Sequence, residues 1–268
     1  MRVYQVDAFT SQPYTGNPAG VCILQEPESE EWMLNVAGEM NVSETAFLHP
    51  QLDDFNSSFN LRWFTPRVEV DLCGHATLAS AHILWETGYL KNDEKAVFYT
   101  RSGTLTAQRS REWIEMDFPS QPPEPVSPPI KLIDALSMNA EPNFTGRTQF
   151  DYLIEVEKED MVYDLQPHFS QLAEIDTRGV IVTARSTDPD YDFVSRFFAP
   201  GVGINEDPVT GSAHCSLGPY WSKKLDKEEL IGYQASPRGG VVRVKLGATD
   251  RVIVGGQAVT VFVGEILY

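Results

Sequence analysis

The sequence predicts an α+β fold built from two similar halves, and three observations lead there. RWFTP at 62–66 and RFFAP at 196–200 are near copies, each followed by a segment of small residues, CGHATLASAH and PVTGSAHCSL. At an offset of 134 residues Arg62, Phe64 and Pro66 fall on Arg196, Phe198 and Pro200, and SETAFL (43–48) falls on TRGVIV (177–182). Between the copies, FPSQPPEPVSPP (118–129) holds six prolines. Such a run continues neither a helix nor the interior of a sheet, so it reads as a linker. The halves are expected at 1–118 and 130–257, joined by 119–129. Each would be a curved, mostly antiparallel, barrel-like sheet around one central buried helix, the two arising by internal duplication.

The elements follow in order. Alternating Val, Tyr, Phe and Trp between turn residues predict strands near 2–9, 19–24, 45–49, 59–64, 96–100, 103–108 and 113–117. EWMLNVAGEMN (31–41) is an amphipathic surface helix. HATLASAHILWET (75–87) is small or apolar on nearly every face, the mark of a buried helix, and Gly88 stops it. Its counterpart is expected to start at Asp207-Pro208, an N-cap followed by proline, and to run to Lys223 and Lys224. VVRVKL, RVIVGG and AVTVFVGEIL form a closing meander.

Composition narrows the function. The 268 residues are 42% hydrophobic and carry a formal charge of −17. That balance argues against nucleic acid or an anionic membrane surface as partner, since both call for basic patches. No apolar run approaches the ~18 residues of a membrane span. The N-terminus enters a strand pattern without the apolar core of a signal peptide, so a cytoplasmic location is expected. Cys22, Cys73 and Cys215 have neither CxxC nor Cys/His ligand spacing, so no disulfide framework or metal site is expected.

The candidate chemistry lies at the two buried helix starts. A helix N-terminus leaves backbone N–H groups unpaired and favours anions, and Gly74, Ala76, Gly211 and Ser212 let a ligand approach that backbone. If the halves are related by a pseudo-two-fold axis, the two starts face one cleft and a carboxylate can sit there. In the repeat alignment Cys73 faces Pro208, His75 faces Thr210 and Glu44 faces Arg178. Each residue also has a plainer reading. Glu44 can be a solvated carboxylate, Asp207 an N-cap, His75 a satisfied core histidine, Cys73 a small buried residue, and Thr210 and Ser212 ordinary first-turn hydroxyls.

DAF followed by GNPAGV, then SETAFL, RWFTP, LCGHATLASAH, GINEDPVTGSAH and RGG at 238–240 together resemble the PhzF-like family, named for the phenazine biosynthesis isomerase. The match runs in order over essentially the whole chain. The resemblance implies the two-domain fold of diaminopimelate epimerase and proline racemase, with the active site between the domains and the last strand (about 258–268) crossing back to the first. It implies a cofactor-independent isomerase, the family's characterised member acting on trans-2,3-dihydro-3-hydroxyanthranilate. Glu44 would be the general acid/base, with His75, Asp207 and Ser212 around the substrate. The backbone at Gly74 and Gly211 would take its carboxylate, with Thr210 alongside, while Asn17 and Pro18 line the cleft. A homodimer is also implied.

The related epimerases use two opposed cysteines. Cys73 matches the first, but Pro208 is expected at the second, so an epimerase or racemase using Cys73 is the rival enzyme reading. A non-catalytic binding protein on the same scaffold is the other.

Overall fold

The computed structural model describes residues 1–51 and 58–267. They form a mixed α/β structure with a large, mostly antiparallel strand content and few helices. Two compact units are present, Met1–Asp117 with Gly255–Tyr268, and Phe118–Val254. No helix among the described residues is long and apolar enough to cross a membrane.

The first unit contains β1 (Arg2–Ala8), β2 (Asn17–Ile23), α1 (Glu30–Met40), β3 (Glu44–Pro50), β4 (Ser58–Phe64), β5 (Glu69–Val70), α2 (Gly74–Glu86), β6 (Ala96–Thr100), β7 (Gly103–Ser110) and most of β8 (Trp113–Pro119). α1 begins on Ser29, whose hydroxyl accepts from the Trp32 N–H, and ends on Asn41 in the left-handed conformation. That reversal delivers the chain to Ser43 and the start of β3. There β3 runs parallel to β2, with Ala19 opposite Glu44, and antiparallel to β4. β1 pairs antiparallel with β2, β4 parallel with β6, and β6 antiparallel with β7.

α2 is buried on nearly every side, ten of its thirteen residues being buried. It packs against β1, β2, β3 and β7. Its hydroxyls are satisfied within the helix, Thr77 donating to the Cys73 carbonyl at 2.6 Å and Ser80 to the Ala76 carbonyl at 2.7 Å. This is how a helix with polar residues tolerates full burial. Gly88, at φ +78°, turns the chain away after its end.

The second unit contains β9 (Glu124–Pro125), α3 (Ile130–Ala135), β10 (Phe144–Arg147), β11 (Asp151–Glu155), α4 (Glu159–Tyr163), α5 (Phe169–Leu172), β12 (Gly179–Arg185), β13 (Phe193–Ala199), β14 (Ile204–Asp207), α6 (Gly211–Leu225), β15 (Glu229–Gln234), β16 (Gly240–Leu246) and most of β17 (Arg251–Gly256). The proline-rich stretch 119–129 lies inside this unit, where β9 pairs with β10. The order of pairing senses matches the first unit: β10/β11 antiparallel, β11/β12 parallel, β12/β13 antiparallel, β13/β15 parallel and β15/β16 antiparallel. Phe193 stacks on Trp221 at 5.8 Å, and the Trp221 indole donates to Thr183 at 3.0 Å. Burying each such ring stabilises the fold by about 1.5–3 kcal/mol.

α6 corrects two expectations. It starts at Gly211 with Thr210 as N-cap, whereas Asp207 is the last residue of β14, paired with Phe197. The Gln234 side chain holds the intervening turn: its oxygen accepts the Thr210 N–H at 2.8 Å and its amide donates to the Asp207 carbonyl at 2.8 Å. Pro219 lies inside the helix and has no N–H for the Cys215 carbonyl. Gln121 supplies that hydrogen bond from its backbone at 2.9 Å.

The last strand, β18 (Ala258–Glu265), belongs to the first unit, antiparallel to β1 with Arg2 opposite Glu265.

Candidate active site

Three local starts converge in the first unit. Asn17 opens β2, Glu44 opens β3, and Cys73 caps α2, with His75 its second residue. The parallel β2/β3 pair brings Asn17 and Glu44 to the same end of the sheet, and α2 starts over them. Glu44, Cys73, His75 and Asn17 are all buried, at 8%, 7%, 6% and 0% exposure. Pro18 and Gly74 beside them are half-buried.

His75 is the hub. Its Nε2 lies 3.2 Å from Glu44 Oε2. Its Nδ1 lies 3.3 Å from the Asn17 amide nitrogen and 3.5 Å from the Cys73 sulfur. Ser43 donates to the Asn17 carboxamide oxygen at 3.3 Å. Despite its nearness to His75, Glu44 Oε2 makes no well-directed hydrogen bond and is buried. A buried acceptor left this way costs about 1–3 kcal/mol, so its persistence calls for an explanation.

The electrostatics follow from the same contacts. Burial alone would lower the His75 pKa, but the neighbouring Cys73 sulfur and the Glu44 carboxylate raise it well above the ordinary histidine value. Burial raises the Cys73 thiol, and Glu44 reinforces the rise. The Thr77 N–H makes an α2 bond back to the Cys73 carbonyl at 3.2 Å, so the N–H groups of Gly74 and His75 lie ahead of the helical ladder.

The other sequence-derived candidates, Asp207, Thr210, Gly211 and Ser212, cluster in the second unit at the start of α6. Thr210 donates to the Asp207 carboxylate at 2.5 Å. Ser212 is half-buried and accepts from Arg178 at 3.2 Å. Arg178 pairs with Asp151, which is 1% exposed, its Nε donating to Oδ1 at 2.9 Å. Phe150 and Phe197 lie against the guanidinium at 5.4 and 5.6 Å.

The register corrects the repeat alignment. Arg196 to Gly211 spans 15 positions against 12 from Arg62 to Gly74, because the 3₁₀ turn Pro200–Val202 lengthens the second path. Counted from each helix start, Cys73 matches Thr210 and His75 matches Ser212. Pro208 does not stand opposite Cys73. Likewise Phe47 pairs with Arg62 while Val182 pairs with Arg196, which sets Glu44 level with Gly179 and Ser43 level with Arg178.

Sequence reasoning missed Ser43, Gln234 and Asp151. Ser43 adjoins Glu44 and was open to inspection. Gln234 and Asp151 reach their partners only through strand pairing, which leaves no local signal.

A family model described as phenazine biosynthesis-like protein matches residues 6–264. An uncharacterized isomerase of Halalkalibacterium halodurans is 56% identical over 266 residues, covering 99% of this chain and 98% of its own. The crystal structure of a phenazine biosynthesis protein of the PhzF family from Enterococcus faecalis superposes with a TM-score of 0.93 at 40% identity, covering 100% of this chain and 99% of that one. A probable proline racemase from Agrobacterium radiobacter, at 11% identity and TM-score 0.60 over 99% and 92% of the two chains, shares the fold.

Proposed function

The chain belongs to the phenazine biosynthesis-like family, and from that premise we propose that it is a cofactor-independent isomerase. It moves a hydrogen between two carbons of a small cyclic or amino-acid-like carboxylate, with Glu44 as the single general acid/base. One observation carries the reading: a buried Glu44 oxygen, without a well-directed hydrogen bond, lies 3.2 Å from His75 Nε2.

In the first step the Glu44 carboxylate takes a proton from a substrate carbon, and the C–H electron pair enters the conjugated system. In the second, the Glu44 carboxylic acid returns that proton to a different carbon and the double bonds shift. Atoms and electrons balance without a further reactant. His75 holds the carboxylate in place and Asn17 orients the imidazole, the division of labour expected of a base and its positioning partner. The backbone N–H groups at Gly74 take the substrate's carboxylate. We assign Asp207, Thr210, Gly211 and Ser212 to substrate binding as well. The matching order of strand pairing in the two units favours an origin by duplication.

A rival reading makes Cys73 one base of an epimerase. Inversion needs a base on each face, the Cys73 thiol is raised by burial, and the N-cap of α6 is Thr210. Those observations favour the one-base shift.

The test is proton NMR in D₂O on trans-2,3-dihydro-3-hydroxyanthranilate and a panel of cyclic and amino-acid carboxylates, with wild type and Glu44→Gln. Isomerisation or carbon-bound deuterium with wild type alone is the expected result. Turnover that survives Glu44→Gln and stops in Cys73→Ser would overturn the assignment of the base. Binding of a panel compound with no turnover by wild type would support a non-catalytic scaffold.

A further inference from the structure

We infer that Glu44, Cys73 and His75 form a binding site for a zinc-class divalent cation. The geometry points there. One ligand atom from each residue, a carboxylate oxygen, a thiol sulfur and a ring nitrogen, lies within 4.8 Å of the others. Glu44 Oε2 and His75 Nε2 are 3.2 Å apart, and Cys73 Sγ is 4.0 Å from the same nitrogen. Tetrahedral zinc, with bonds of about 2.0–2.3 Å, holds its ligands roughly 3.3–3.7 Å from one another. The two pairs made by His75 Nε2 need changes of about half an ångström or less, and the Cys73–Glu44 pair, within 4.8 Å, closes by at most about 1.3 Å.

The donor set is also selective. A thiolate, an imidazole and one carboxylate oxygen suit zinc, cobalt or cadmium, whereas magnesium and calcium prefer all-oxygen shells. The buried Glu44 oxygen without a directed hydrogen bond gives the cation an anionic ligand, with the nearby His75 Nε2–H at 3.2 Å the donor it displaces.

The surroundings support a bound state. A ligating histidine usually donates its second ring N–H to an outer partner. Here that partner is Asn17, on His75 Nδ1 at 3.3 Å. A carboxamide can present either its nitrogen or its oxygen. Turned oxygen-inward, Asn17 accepts the Nδ1 proton and leaves the Nε2 lone pair for the metal, and the Ser43 hydroxyl accepts from the turned amide. Binding releases the thiol proton of Cys73 and the Nε2 proton of His75 to solvent and changes no oxidation state. Three protein ligands leave a fourth position for water.

This binding stands on the geometry alone. Its consequence rests on the function proposed above: a cation on Glu44 removes the acid/base, so zinc inhibits and a chelator restores activity.

The experiment is a titration of chelator-treated protein with Co²⁺, followed by absorption, then displacement with Zn²⁺. A thiolate-to-cobalt charge-transfer band saturating at one equivalent, bleached by Zn²⁺ and untouched by excess Mg²⁺, is expected. Cys73→Ser should abolish that band, and Glu44→Gln and His75→Asn should each weaken Co²⁺ binding at least tenfold. Circular dichroism establishes that each variant is folded, and zinc protection of Cys73 from alkylation in wild type provides a readout without any variant. No band and no protection in wild type, or a band unchanged in Cys73→Ser, overturns the inference. A band without inhibition leaves the cation site standing and counts against Glu44 as the base.

Discussion

Arg178 donates to the Ser212 hydroxyl oxygen over 3.2 Å while its other guanidinium nitrogens hold Asp151. Arginine has no acceptor, so Ser212 is left with its own O–H free to donate elsewhere. The start of α6 is thereby tied through Arg178 to a carboxylate at the start of β11. Removing the cation strands that carboxylate. Arg178→Met should cost about 2–3 kcal/mol, below the ~3–5 kcal/mol of a fully buried pair because the Arg178 side chain is 36% exposed. Urea denaturation measures it, and Arg178→Met/Asp151→Leu should recover much of the loss. A double variant no more stable than the single one would refute the account.

His214 gives a pH dependence of definite sign. It is inaccessible, bonds the Thr210 carbonyl through Nδ1 at 2.9 Å, and has a buried Nε2 without a hydrogen-bond partner. Burial lowers its pKa from 6.5 to about 4, only partly opposed by the Thr210 bond. Between those values the unfolded chain binds a proton that the folded one refuses. Stability from this group is thus full above the unfolded value and is lost as pH falls through the folded one, by roughly 3 kcal/mol in all. Urea midpoints from pH 7.5 to 4 should fall more steeply for wild type than for His214→Gln. Parallel curves would refute it.

The two pH and ion-pair effects come from residues the sequence showed unequally. Periodicity made the strands and α2 legible, because alternation and all-round apolarity are properties of a segment by itself. The resemblance brought Glu44, His75 and Asn17 forward, and the structure brings these three together. The start of α6 was misread because Asp-Pro is a good cap locally, whereas the pairing of Asp207 with Phe197 and the reach of Gln234 are decided by strands distant in the chain. The repeat alignment slipped for a related reason. A 3₁₀ turn adds length without changing the pattern on either side.

Gln234 tests that reading of the α6 start. It is inaccessible, and its side chain accepts the Thr210 N–H, bonds the Asp207 carbonyl and reaches the Thr210 hydroxyl at 3.2 Å. Gln234→Ala removes this partner from a buried N–H and a half-buried carbonyl, the first worth about 1–3 kcal/mol and the second less. A loss of about 2–4 kcal/mol is expected, with faster hydrogen exchange at the Thr210 amide than at Thr183. Unchanged exchange at Thr210 would mean the backbone holds this turn without the glutamine.

Gly179, at the start of β12, fixes the other side of the Arg178 cluster. A Cβ there would stand 2.3 Å from the Phe197 ring, which lies against Arg178 at 5.6 Å. The ring is 5% exposed and packs among Leu153, Ile181 and Leu217, so it has little room to move. Overpacking of this kind costs about 1–3 kcal/mol. Gly179→Ala should lower stability by that amount and push Phe197 off the guanidinium. Trimming the ring supplies the control: in Gly179→Ala/Phe197→Leu the new methyl has space, so the glycine substitution should cost less there than in wild type. A double-mutant cycle measures the difference, and strict additivity would show that Gly179 is required for some reason other than the ring.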